Sequence, residues 1–233
     1  MAVTLRGSAD YVGASGNPSF TLPVSTNAGD TIVVAIYSGG AISGGAGCGA
    51  TWTLVEPTTN LFLLVGADCS AGATSFTIDG AGLYDAYPAL FVFSGLAASN
   101  TLGPSAGKIS SSAGTFTVGP IATAPGDVVI GIYYSYNASG PAFANESVLG
   151  SVGAVNETYI TMCYGLESGI SDTFSVYLFG KNAPMGIAVL ATPVAAVLPQ
   201  SRYYSQAVRR SYTYFKDVVF DRTPRGLLVP KVA

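Results

Sequence analysis

The sequence predicts an all-β protein: an antiparallel β-sandwich of jelly-roll type, built from two pseudo-repeats and followed by an extended C-terminal arm. Three observations carry this. Short apolar, β-branched runs stand between clusters of Gly, Pro, Asn, Asp and Ser, which is the signature of strands and turns. No stretch before residue 200 keeps a helical apolar period without Gly or Pro breaking it, so helix should be scarce. And one phrase is written twice: "NAGDTIVVAIYSGG" (Asn27–Gly40) returns as "APGDVVIGIYYSYN" (Ala124–Asn137), 97 residues later.

The elements follow in order. Phe20–Val24 is a first run, and Ala28-Gly29-Asp30 then supplies a turn, because Gly tolerates positive φ and Asp can bond nearby backbone. Thr31–Tyr37 is the strand it opens. The Gly-rich Gly39–Ala50 ("GGAISGGAGCGA") reads as an inter-strand loop, and "TWTLVEP" from Thr51 as strand-like. Leu61–Val65, the short Ser75–Ile78 and Leu90–Phe93 complete the first copy, and Ala97–Gly114 links it to the second. There, Phe116-Thr117-Val118 answers Phe20-Thr21-Leu22, Tyr159–Val176 answers Leu61–Ile78 with Phe174 aligned on Phe76, and the run from Pro184 answers that from Pro88. The offset stays between 96 and 98, a degenerate duplication over about residues 16–98 and 112–197; a solenoid would need several shorter copies.

Four or five strands per copy hide an apolar face poorly. Two copies facing each other would make one sandwich over residues 1–197, with its core between the sheets. Two separate domains are the alternative.

Composition narrows the class. Hydrophobic residues are 49% and charged residues 10%, against about 25% in an average protein, so the bulk of the chain is not disordered. A mean hydropathy of +0.44 leaves little to solvate a monomer's surface. Part of that surface is expected to meet other protein, and a homo-oligomer fits. A membrane span is not expected: Pro184–Pro199 is shorter than the roughly 20 residues required and Pro193 interrupts it. No charged, apolar leader follows Met1, so a chain made in a cytoplasm is expected. Cys48, Cys69 and Cys163 are odd in number and lack ligand spacing, which predicts free, mostly buried thiols. The sequons at Asn137, Asn145 and Asn156 are read as chance.

Chemistry is conspicuous by what is missing. The chain has no histidine, which removes the usual general base, the Ser-His and Cys-His nucleophiles and the commonest metal ligand. Gly39–Ala50 holds no Lys and precedes a strand, so it is not a phosphate loop. Asp79, Asp85, Glu146, Glu157 and Glu167 could in principle pair for hydrolysis, but most sit in apparent turns. The reading is no enzyme, no cofactor and no metal. Trp52, Tyr84 and Tyr87 form a candidate glycan platform, with core packing of the lone Trp as the rival reading.

After Pro199 the composition changes. Residues 198–233 carry seven basic against two acidic side chains, a net of +5, while the remainder carries three against eleven, or −8. Arg202, Tyr203, Tyr204, Arg209, Arg210, Tyr212, Tyr214, Phe215, Lys216, Phe220, Arg222 and Arg225 make this a basic, aromatic arm. Docking on a neighbouring subunit is the favoured reading, since Tyr and Arg anchor interfaces. "SYTYFKDVVF" (Ser211–Phe220) reads partly as a strand, and "PRGLLVP" (Pro224–Pro230) as a short apolar plug. Folding back onto the acidic sandwich is the alternative, and nucleic acid is disfavoured because the charge is thinly spread.

The "GD" strand, "TWTLVE" and "PALFVFSGL" together resemble β-sandwich (jelly-roll-like) modules of tailed-bacteriophage virion structural proteins. The resemblance runs over about residues 20–195, although the second copy has "ESVLGSV" in place of the Trp turn. It implies a virion structural part bound to other virion proteins: a head decoration or cement protein, or else a neck, collar or tail accessory. A carbohydrate-binding β-sandwich is the rival class.

Overall fold

The computed structural model describes residues 2–11, 18–81, 87–98, 101–135, 138–153, 159–179 and 182–193. It also gives the backbone alone of residues 219–222 and 228–231, and of Ala81, Tyr87 and Tyr159. The chain divides into two compact units, Met1–Pro193 and Val194–Ala233. Among the described residues every regular element is a strand and every pairing is antiparallel.

The first eight strands are β1 (Thr4–Asp10), β2 (Ser19–Thr21), β3 (Asp30–Tyr37), β4 (Ala41–Gly47), β5 (Thr51–Thr58), β6 (Leu61–Cys69), β7 (Ser75–Ala81) and β8 (Tyr87–Ser94). They form a five-stranded sheet, β1-β8-β3-β6-β5, and a three-stranded sheet, β2-β7-β4. The next eight are β9 (Leu102–Ile109), β10 (Gly114–Ala122), β11 (Val128–Ser135), β12 (Ala138–Phe143), β13 (Gly150–Val152), β14 (Tyr159–Leu166), β15 (Ser171–Leu178) and β16 (Pro184–Leu190). Their sheets are β9-β16-β11-β14-β13 and β10-β15-β12, the same order with eight added to each number. In each half the first strand pairs with the eighth, the second with the seventh and the third with the sixth, so a long hairpin is wound across two sheets.

Three apolar layers hold this unit together. One lies inside the first half, where Phe20, Ile42, Phe76 and Ile78 of the small sheet meet Ile32, Val34, Ile36, Leu64, Leu90 and Val92 of the large one. A second lies inside the second half, around Val118, Val129, Phe174, Val176, Ile187 and Val189. The third joins the two five-stranded sheets: Val33, Ala35, Leu61, Leu63, Val65, Phe91 and Phe93 against Val128, Ile130, Ile132, Ile160, Met162, Ala188 and Leu190. Successive side chains of a strand point to opposite faces. β3 therefore sends Ile32, Val34 and Ile36 to one core and Val33 and Ala35 to another. A strand buried on both faces reads as an unbroken apolar run, which is why "TIVVAI" does not alternate.

This differs from one sandwich closed by two facing copies. Each half is a sandwich in itself, and the halves meet back to back. The reason is strand number. Gly39–Ala50, read as a loop, contains β4, and Ala97–Gly114, read as a linker, contains β9. With eight strands a half can cover one apolar face by its own small sheet.

The repeated phrase builds one turn twice. Gly29 and Gly126 take φ of 81° and 93°, a left-handed conformation open to glycine. Asp30 N donates to Asn27 O at 3.2 Å, and Asp127 N to Ala124 O at 3.0 Å. Each aspartate carboxylate then accepts from the turn's first amide: Asn27 N to Asp30 Oδ2 at 2.7 Å, Ala124 N to Asp127 Oδ2 at 2.9 Å. Buried Asp30 also pairs with Arg6.

In the second unit, β17 (Val219–Arg222) and β18 (Leu228–Lys231) pair as an antiparallel hairpin, with Phe220 opposite Pro230. Of the expected arm, this hairpin takes in Val219 and Phe220 of the strand-like run and Leu228, Val229 and Pro230 of the plug, and the rest of both runs lies outside the described residues.

Candidate functional site

Turns between strands, where β-sandwiches display functional side chains, place three acids together in the second half. Glu146 lies between β12 and β13, Glu167 directly after β14, and Asp172 is the second residue of β15. One carboxylate oxygen from each lies within 4.8 Å of those from the other two. Glu167 is 3% exposed and Asp172 1%.

Backbone amides fix the geometry. Asp172 Oδ1 accepts from Ala144 N at 2.9 Å and Thr173 N at 2.7 Å, and Glu167 Oε1 accepts from Gly169 N at 2.6 Å. Glu167 itself is held to the repeated turn, its amide donating to Asp127 O and its carbonyl accepting from Gly126 N, both at 2.8 Å. The other oxygens, Glu167 Oε2, Asp172 Oδ2 and both of Glu146, are buried without a protein partner. Burial above all, then the closeness of Asp172 and the charges of Asp172 and Glu167, push the Glu146 carboxyl up to about 8. Leu149 and Ile170 in these connections, and Leu166 at the end of β14, are exposed, Ile170 by 81%.

The sequence named Glu146 and Glu167 as turn residues, and they are, but they turn inward. Asp172 went unmarked. Its signal is the alternation of "SDTFSVYL", in which Asp172, Phe174, Val176 and Leu178 all take the buried face. Asp79 sits on β7 opposite Gly44, away from this cluster, and Asp85 and Glu157 lie outside the described residues.

Trp52 is half-buried on β5 and packs against the first core, stacked on Phe76 with ring centroids 5.7 Å apart. Its indole N donates to Gly47 O at 3.2 Å. Its ring lies on Gly45 and Gly66, where a Cβ would come within 2.6 Å and 2.9 Å of it. Tyr84 and the side chain of Tyr87 lie outside the described residues, as do the side chains of the whole basic segment; of its members, Phe220 and Arg222 have described backbone in β17.

All three cysteines are free and buried. Burial raises the Cys48 thiol and pushes Cys69 and Cys163 up to about 12, so none is poised as a nucleophile. A hollow of about 180 Å³ lined by Tyr37, Thr59, Asn60, Ile109, Asn182 and Pro184 is smaller than the roughly 300 Å³ at which ligand pockets begin.

No family model, curated protein or solved structure matches this chain.

Proposed function

We propose that this protein is a non-enzymatic virion structural protein of a tailed phage, bound to the head surface through protein–protein contacts as a decoration or cement subunit. The observation that carries the reading is the contrast between a charge-poor double sandwich and a basic, aromatic C-terminal segment. The body's net of −8 and the segment's +5 suit a scaffold with an attachment device. Two further features support it. The described residues offer buried thiols and inward-facing acids rather than an open catalytic cleft. Ile170 at 81% and Phe179 at 55% exposure give the surface isolated apolar contact points.

The test is mass analysis and imaging of particles made with the full chain and with a chain lacking residues 201–233. The expected result is many copies per particle for the full chain. The shortened chain should be folded and soluble but absent from particles. One or two copies per particle would shift the assignment to a neck or tail accessory. Full occupancy by the shortened chain would move the attachment to the sandwiches.

A further inference from the structure

The three-carboxylate cluster is built unlike a solvated acidic patch. Asp172 has one oxygen held by two backbone amides and Glu167 one oxygen held by one, and the second oxygen of each is buried without a partner. A buried carboxylate without a partner is strongly unfavourable, and three within 4.8 Å of each other compound the repulsion. The ion pair found among the described residues, Arg6–Asp30, lies in the first half, and no described Lys or Arg reaches these acids. A cation among them would supply the counter-charge that the described residues do not.

We propose that Glu146, Glu167 and Asp172 bind one calcium ion, which ties the β12–β13 connection to the β14–β15 turn. The donor set is all carboxylate, the preference of hard cations; softer metals favour the imidazole and thiolate that are missing here. Expecting no metal from the sequence rested on those softer ligands, and a hard cation needs only oxygen. Ligand number favours calcium over magnesium: calcium takes several carboxylates in a flexible geometry, whereas magnesium keeps most of its waters and is usually held by one or two. The backbone amides on Asp172 Oδ1 and Glu167 Oε1 serve as the outer shell that orients ligands before an ion arrives. Three charges against two leave the remaining positions to water and neutral oxygens.

The other half of the molecule supplies an internal control. Gly29 N donates to Cys69 O at 2.9 Å as Gly126 N does to Glu167 O at 2.8 Å, so Cys69 holds the place of Glu167. Thr74 stands two residues before Phe76, as Asp172 stands two before Phe174. The same turn is thus built without any acid at those two places. The carboxylates of the second half are not required by the fold.

The experiment uses the full chain stripped with a chelator, then titrated with calcium chloride by calorimetry and by thermal melting. The expected result is one calcium per chain and, at about 100-fold above Kd, a melting point higher by roughly 5–10 °C. Magnesium should shift it less, Asp79→Asn should respond as the natural sequence does, and Glu167→Gln and Asp172→Asn should not respond. Glu167→Cys, which copies the first half, should also be calcium-blind. In chelator Glu167→Gln and Asp172→Asn, which keep an acceptor oxygen for the backbone amides, should melt no lower than the natural sequence, since each removes a buried charge without a counter-charge. A natural-sequence protein with no heat of binding and an unchanged melting point in millimolar calcium would overturn the proposal, and an equal shift with magnesium would overturn the choice of calcium.

Discussion

Glycine works here as a slot for aromatic rings. Gly45 and Gly66 flank the indole of Trp52, and Gly131 on β11 lies under Phe174. A Cβ on Gly131 would stand 2.4 Å from the Phe174 ring, and that ring is fully buried. Nor can it retreat, because Phe143 and Tyr133 lie beside it at 5.3 Å and 6.3 Å between ring centroids. Gly131→Ala is therefore expected to lose about 1–3 kcal/mol through overpacking. Gly44→Ala supplies the comparison: a Cβ there meets nothing within 4 Å, and the change should stay within about 0.5 kcal/mol. Urea midpoints of the two variants check this, and equal losses would sink the slot account. The same packing explains why Gly39–Ala50 misleads when read as a loop. Its Gly45 admits a ring, and β4 runs through it.

The turn preceding β3 and β11 is the element the sequence advertises best. Its Gly and Asp have roles that spacing alone reveals, and both copies carry them out with the same bonds. Asp127→Ala should lose about 1–3 kcal/mol, because it strips the acceptor from Ala124 N and from Thr192 N, 3.1 Å away. Asp127→Asn keeps an acceptor oxygen and should lose less; denaturant melts of both decide it, and a harmless alanine would show that the carboxylate is idle. The central strands were legible for a related reason: "TIVVAI" and "LFLLV" are apolar enough to stand out whichever face they serve. β9 was not, since "LGPSAGKI" has only its first and last residues as large apolar side chains and lies at a sheet edge. Two of the three acids in the cluster were legible by residue type and none of them by geometry. Glu146 follows Asn145 and Glu167 precedes Ser168-Gly169, and nothing in a turn's composition says that its side chains point inward. Asp172 needed the β15 alternation to be extended one position past Phe174.

At the scale of the whole first unit, the question is whether two similar sandwiches behave as one body. The layer between them answers it. Val33, Ala35, Leu61, Leu63, Val65, Ala89, Phe91 and Phe93 are all fully buried, as are Val128, Ile130, Ile132, Met162, Ala188 and Leu190 opposite them. Tyr37 and Tyr134 stack across the same boundary with centroids 3.7 Å apart. Splitting the halves would bare a continuous apolar face on each five-stranded sheet. Fully burying a Val, Leu, Ile or Phe side chain is worth about 1.5–3 kcal/mol, so this layer rivals the about 5–15 kcal/mol net stability of a typical domain. Neither half can then unfold while its neighbour stays intact. Calorimetry of residues 1–193 should show a single cooperative transition, with calorimetric and van't Hoff enthalpies in agreement. A chain ending at Ala98 keeps its inner core but exposes Phe91, Phe93 and Leu63. It should aggregate or pair with itself through that face, where size-exclusion chromatography would find it. Two resolved transitions in the longer chain, or a monomeric, cooperatively melting residue 1–98 chain, would show that the sandwiches are independent and that the apolar layer merely lets them rest together. The asymmetry within the unit sharpens the expectation. If calcium binds in the second half alone and the two halves melt as one, calcium should raise the single transition for both, including the first half that lacks the acids.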